Sequence, residues 1–309
     1  METAVINLLW HPQAQFAGYH IAEANDQRAQ QGVCIHTTPL EFGVGPVNSV
    51  LSGESQFGVA SPAHLLESDA PDDLRLLLTI QQDSPLVYPV RKSLEISTLA
   101  GLSGHKIGVW PSGEDLEFRW MLHKARVSPD KVQRVPMADT VTPFLAGEIA
   151  SAQVTVYHEL HQIEAGGLSR DALHLFKPSD LDAALLKDGL FTTARLVDER
   201  PEFVQAVVDA VLEGWVHAFQ QPAQAVDVCV TRWPSLDSHE QVMQLEDIRA
   251  LTFCNATLEQ GLGYPDPEHV ARAAAALMDV DEPVASTAVD CLAEPRFWDA
   301  APAEWKPTQ

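Results

Sequence analysis

Clustered cysteine, basic charge and long apolar runs are all scarce in this chain, and each scarcity removes a class of function. The four cysteines, Cys34, Cys229, Cys254 and Cys291, stand far apart with no Cys-x-x-Cys pair. Neither a zinc site nor a dithiol redox centre has the ligand spacing it needs, and no metal is expected. The Asp-Val-Cys-Val setting of Cys229 reads as a buried small hydrophobe, while a disulfide elsewhere stays open. Only 20 lysines and arginines stand against 43 acidic residues, a net charge of −23. That balance repels a phosphate backbone and anionic lipid, so nucleic acid and membrane surfaces are not expected partners. No apolar run approaches the roughly 20 residues that span a bilayer. The opening Met-Glu-Thr-Ala-Val-Ile-Asn lacks the basic flank and cleavage site of a leader; because a leader is removed on export, the native compartment stays open. Gly-x-Ser-x-Gly, the phosphate-loop lysine motif and His-Glu-x-x-His are missing too, and His158-Glu-Leu-His161 has the wrong spacing for the last. With no recognisable nucleophile, metal or cofactor cradle, the chain is expected to be a binding protein, not an enzyme, with no cofactor.

What is present is alternation. A length of 309 residues with 46% hydrophobic content suits two domains or one wound twice. Val5–Trp10 reads as a strand and Phe16 to about Gln31 as a helix; Val33–Thr38 and Ser55–Ala60 read as strands, the latter running into a helix start at Ser61-Pro62. Further strands are expected at Leu74–Ile80, Leu86–Val90, Lys106–Trp110, Val132–Val135 and Gln153–Tyr157, with helices starting near Ser112, Thr140 and Glu159. Such alternation predicts parallel sheets wrapped by helices. After Leu190-Phe-Thr-Thr193 the pattern becomes helical, over 201–220, 239–260 and 267–278.

Ligands of open α/β sheets sit at the carboxyl ends of strands, and five loops there carry unusual chemistry. Trp10-His-Pro-Gln-Ala-Gln-Phe-Ala-Gly-Tyr19 offers Trp10, Gln15, Phe16 and Tyr19, aromatic faces for stacking and, with a second glutamine in the loop, two amides for orientation; Phe16 and Tyr19 equally suit a helix face packed on the sheet. Ser61 can cradle a polar group or simply cap its helix. Gln81-Gln-Asp-Ser84 adds Gln81 and Ser84 as donors. Lys106-Ile-Gly-Val-Trp110-Pro-Ser112-Gly-Glu114 ends a strand in Trp110, Ser112 and Glu114, which also read as a capped helix entry. Val154-Thr-Val-Tyr157-His-Glu159 brings Tyr157 and Glu159, whose side chains converge only if the strand has already ended.

In their order these motifs resemble the substrate-binding proteins of ABC importers in the nitrate/sulfonate/taurine and thiamine-pyrimidine-precursor group, over nearly the whole chain. The landmarks are Trp10–Tyr19, Gly53–Ala60 and, most specifically, Ile96–Val109, with Pro143-Phe-Leu-Ala-Gly147 and Leu185-Leu-Lys-Asp188-Gly-Leu-Phe-Thr-Thr193 beyond. The resemblance implies a two-lobed periplasmic-binding-protein-like (type 2) α/β fold: two mixed sheets wrapped by helices, residues 1–90 plus 192–309 forming one lobe and 91–191 the other. A ligand cleft would lie between them, with a hinge of two crossovers near Tyr88–Ser93 and Thr192–Arg195. It implies an extracytoplasmic monomer serving importer membrane subunits, and it adds Asp188 to the site residues. The family's Asn-Glu-Pro after the fifth strand is here Tyr157-His158-Glu159, which leaves the ligand open. The absence of lysine and arginine at the strand ends points away from sulfonate or nitrate and towards a flat nitrogen heterocycle such as a thiamine-type pyrimidine. The alternatives are the sensing domain of a membrane receptor, or a single-turnover thiamine-pyrimidine synthase, whose cysteine-rich motif the chain lacks.

Overall fold

The computed structural model describes residues 2–25, 32–40, 44–111 and 113–309. Among these residues, eleven strands follow in chain order: β1 (Glu2–Asn7), β2 (Val33–Thr38), β3 (Phe57–Ala60), β4 (Leu74–Thr79), β5 (Leu86–Arg91), β6 (Lys106–Val109), β7 (Gln133–Pro136), β8 (Ser151–Ala152), β9 (Val154–Thr155), β10 (Leu173–Phe176) and β11 (Gly189–Thr193). They build two mixed sheets in two compact units, one of Met1–Asp83, Leu186–Ala274 and Val284–Gln309, the other of Ser84–Leu185 and Ala275–Pro283.

The first unit orders its strands β2-β1-β3-β11-β4. β1 runs parallel to β2 and β3, and β11 runs antiparallel between β3 and β4. Four carboxyl ends and the amino end of β11 therefore share one edge. Phe191 of β11 pairs with Gly58 of β3, where a Cβ would fall 2.6 Å from the Phe191 ring, so glycine makes room for the aromatic. The helix Ala17–Ala24 lies on Pro201–Gln220 at backbone range: a Cβ on Gly18 would sit 2.2 Å from Trp215 Cγ, and one on Gly214 would sit 2.2 Å from Gly18 O. Trp215, Tyr19 and Phe16 are fully buried there, the Tyr19 and Trp215 rings edge to face at 5.9 Å.

The second unit orders its strands β10-β5-β8-β6-β7, with β9 also on β5. β6 is parallel to β7 and β8, while β5 is antiparallel to β8, β9 and β10. Val87, Val141, Phe144, Ile149, Val154 and Leu160 are part of its core. The Arg91 guanidinium lies 4.6 Å over the Phe144 ring and donates to the carbonyls of Phe144 and Leu145. From the Ala275–Pro283 segment, Asp279 accepts from Trp120 Nε1 at 2.9 Å and Glu282 from Arg119 at 3.1 Å.

Several local expectations shift. The helix expected over 16–31 is a helical turn Ala14–Phe16 and then Ala17–Ala24, with 26–31 outside the described residues. The strand expected over 153–157 is the pair β8 and β9, split at Gln153 because its amide nitrogen bonds Gly108 O instead of β5. The helix expected near Ser112 begins at Leu116. A helix at Pro222–Arg232 and strand β10 had no counterpart in the sequence reading. The unit boundaries fall at 83/84 and 185/186 because β5 is a full member of the second sheet and β11 of the first, whereas the expected crossovers were at 88–93 and 192–195. All four cysteines are free thiols, and Cys229 is fully buried, its pKa pushed up to about 12 by burial.

Candidate functional site

At the carboxyl edge of the first unit, side-chain amides converge on one carboxylate. Asp188 stands just before β11 with φ of 57°, a left-handed conformation that aspartate tolerates better than most residues, and it is 1% exposed. Gln15, from the loop after β1, donates through Nε2 to Asp188 Oδ1 at 3.0 Å and Oδ2 at 2.9 Å. Gln81, from the loop after β4, donates to Oδ2 at 2.5 Å. Behind them runs a relay with one direction: Gln244 Nε2 donates to Gln13 Oε1 at 3.1 Å, and Gln13 Nε2 to Gln15 Oε1 at 2.7 Å. The helix Ser238–Thr252 also anchors the loop backbone, Gln241 and Gln244 accepting from Ala14 N and Gln15 N at 2.6 and 2.9 Å. All five glutamines are buried. Charge-assisted bonds of this kind are stronger than neutral ones, so Asp188 ties together the entry to β11 and the loops after β1 and β4.

Tyr19 is fully buried near this carboxylate, its hydroxyl oxygen facing the indole N–H of Trp215. Burial, with the Asp188 charge second, holds its pKa well above the ordinary phenol range. Phe16 is equally buried, 6.4 Å from the Tyr19 ring. Trp10 differs: it is 40% exposed, its ring 5.2 Å from His11. Ser61 caps the short helix Pro62–Leu66, accepting from His64 N at 3.2 Å.

The second unit gathers its loops around Gln153, which is fully buried. Gln153 Oε1 accepts from Trp110 N at 3.2 Å, Nε2 donates to Glu114 O at 2.8 Å, and its carbonyl accepts from Thr140 Oγ1 at 2.9 Å. One residue between β8 and β9 thus holds Trp110 and Glu114, beyond β6, and the start of Val141–Ala146. β9 ends at Thr155, so Tyr157 and Glu159 lie beyond the strand, the condition their convergence required. Tyr157 is 5% exposed. Glu159 turns back on its own turn, Oε2 accepting from Thr155 N at 2.9 Å and Thr155 Oγ1 at 2.6 Å. Ser84 Oγ accepts from Leu86 N at 3.1 Å. Ser112 lies outside the described residues.

The structure thus brings Gln15, Gln81 and Asp188 into direct contact in the first unit, and ties the Trp110 and Glu114 backbones together in the second. Gln13, Gln241, Gln244 and Gln153 were not legible as site residues. Their partners are up to 231 positions away and amides carry no periodic signal. Among the described residues, no three His, Cys, Asp or Glu side chains are grouped to hold a metal, and no helix is long and apolar enough to cross a membrane.

The family model described as NMT1/THI5 like matches residues 13–225. The chain belongs to the NMT1/THI5-like family. A riboflavin-binding protein RibY of Chloroflexus aurantiacus is 21% identical over 285 residues, 86% of this chain and 77% of that protein. Among solved structures, the periplasmic aliphatic sulphonate binding protein SsuA of Escherichia coli superposes with a TM-score of 0.69 at 14% identity, covering 96% of this chain and 93% of that one. The desulfurization enzyme DSZB reaches 0.59 at 16% identity, over 97% and 98% of the two chains. The chain therefore shares with these neighbours a periplasmic-binding-protein fold that also carries an enzyme, and the fold alone does not decide between the two.

Proposed function

We propose that this NMT1/THI5-like chain is a solute-binding protein that delivers a flat nitrogen-containing organic molecule to an ABC importer, acting outside the cytoplasm as a monomer. The observation that carries this reading is the Asp188 cluster: a buried carboxylate and oriented amides at the strand-end edge where open α/β sheets take ligands. Trp10, exposed on the loop after β1, supplies an aromatic face for stacking. The riboflavin-binding relative supports a heterocycle. A sulfonate, as bound by the SsuA neighbour, would bring a fixed negative charge towards Asp188 without a hydrogen to donate.

Calorimetry against riboflavin, thiamine-type pyrimidines, purines, taurine and ethanesulfonate tests the proposal. Saturable binding of a heterocycle is expected. Tight binding of a sulfonate with no response to any heterocycle would sink it.

A further inference from the structure

Resting on the heterocycle reading, we infer that Gln81 determines specificity, its side-chain carbonyl accepting an N–H from the ligand, and that Asp188 is the positioning residue that sets this amide. An ionised carboxylate can only accept, so a glutamine touching it must present its NH2 end. Gln81 Nε2 is held on Asp188 Oδ2 at 2.5 Å, and the same orientation passes outward through Gln15 and Gln13 to Gln244. The amide flip that usually leaves glutamine ambiguous is removed. Gln81 Oε1 is left on the other side of the amide plane, buried and without a partner.

The edge repeats this sign. Gln82 gives both amine hydrogens away, to Thr79 O at 2.8 Å and Tyr264 O at 3.0 Å, and its Oε1 is also unpartnered. Asn7, the last residue of β1, donates to Thr38 and Pro39 while its Oδ1 has no donor. The unfilled capacity at this edge is therefore mostly acceptor capacity, and a buried acceptor without a donor is the kind of group a ligand gains most by satisfying. Carboxylates and sulfonates bring acceptors alone. An imide or lactam ring brings an N–H beside its carbonyls, and the Tyr19 hydroxyl, whose oxygen faces the donor-only indole of Trp215, keeps its hydrogen for one of those oxygens.

The probes are riboflavin, which carries one imide N–H on its ring, and its N3-methyl derivative, titrated by calorimetry into wild type, Gln81→Leu and Asp188→Asn. Wild type is expected to bind riboflavin roughly tenfold or more tighter than the methylated probe, the size of one hydrogen bond to a desolvated partner. Gln81→Leu should bind both probes alike, at about the affinity of wild type for the methylated one. Asp188→Asn, which can donate as well as accept, frees the amide to turn and should narrow the discrimination in protein that circular dichroism shows to be folded. Discrimination that survives unchanged in Gln81→Leu overturns the inference, as does equal binding of both probes by wild type; in either case the heterocycle reading stands. Failure of riboflavin to bind at all overturns the inference, and the wider panel then decides the heterocycle reading separately.

Discussion

At Gly18 and Gly214 two opposing effects can be ranked by size. Alanine in a helix is favoured over glycine by about 1 kcal/mol. Here, however, the added methyl would enter the Trp215 ring or the Gly18 carbonyl at 2.2 Å. Neither neighbour is the free end of a flexible chain, so overpacking wins, and Gly18→Ala or Gly214→Ala should lose about 1–3 kcal/mol in urea unfolding. A gain in stability would show that the helices separate easily. His20 gives a pH test. Burial, with Arg232 second and against the opposing charge of Glu23, lowers its pKa to about 3. The unfolded chain protonates this residue near 6.5 and the folded chain does not, so the stability present above pH 6.5 is lost as pH falls towards 3, at about 1.4 kcal/mol per pH unit. His269, lowered first by burial, adds in the same sense. His20→Asn should flatten the stability profile between pH 6.5 and 5; an unchanged slope there would remove His20 from the account. Neither site could be read in the sequence, where both are ordinary helix residues. Their meaning comes from what lies opposite: Trp215 across a helix crossing, and Thr37, Arg232 and Trp233 around the imidazole.

Among elements, legibility followed the strength of the local pattern. The helix Pro201–Gln220 coincides with its expected bounds because apolar residues recur on one face behind a proline start. β2 does as well, from its short β-branched run. The helix Pro222–Arg232 was missed because Val-Asp-Val-Cys-Val alternates like a strand, and only packing against neighbouring helices turns it helical. β10 was missed because Leu-His-Leu-Phe is four residues long and gains its structure from pairing with β5. Gln153 shows how one polar residue governs an element. Placed between the two-residue strands β8 and β9, it breaks the expected strand, and its side chain ties the backbones of Trp110 and Glu114. Gln153→Leu keeps the volume but removes both side-chain bonds, leaving Trp110 N and Glu114 O without their partner. A loss of about 1–3 kcal/mol is expected, with faster amide exchange at Trp110. Unchanged exchange there would mean that the loop holds itself. Asp237, capping the helix Ser238–Thr252 by accepting from His239 N at 2.9 Å and Glu240 N at 3.0 Å, supports the helix that carries Gln241 and Gln244. Asp237→Ala should cost about 1 kcal/mol, read as a lowered urea midpoint.

For the whole molecule, the decisive measurement is whether the loop-bearing edge of the first unit takes the ligand. Trp10→Ala is expected to weaken heterocycle binding about three- to tenfold, read by calorimetry. Unchanged affinity would take Trp10 out of the site. The topology of the first sheet has a further consequence, in time. β11 is a central strand, yet it is encoded more than a hundred residues after its neighbours β3 and β4. On a translating ribosome it emerges on the order of ten seconds later. Through that interval β3 and β4 each present a bare hydrogen-bonding edge, the state in which strands recruit foreign partners. Residues 84–185, which supply every strand of the second sheet, are made in the meantime and can close around their own core. Nascent chains between about 80 and 190 residues should therefore be the ones that holding chaperones retain, and release should coincide with the arrival of Gly189–Thr193.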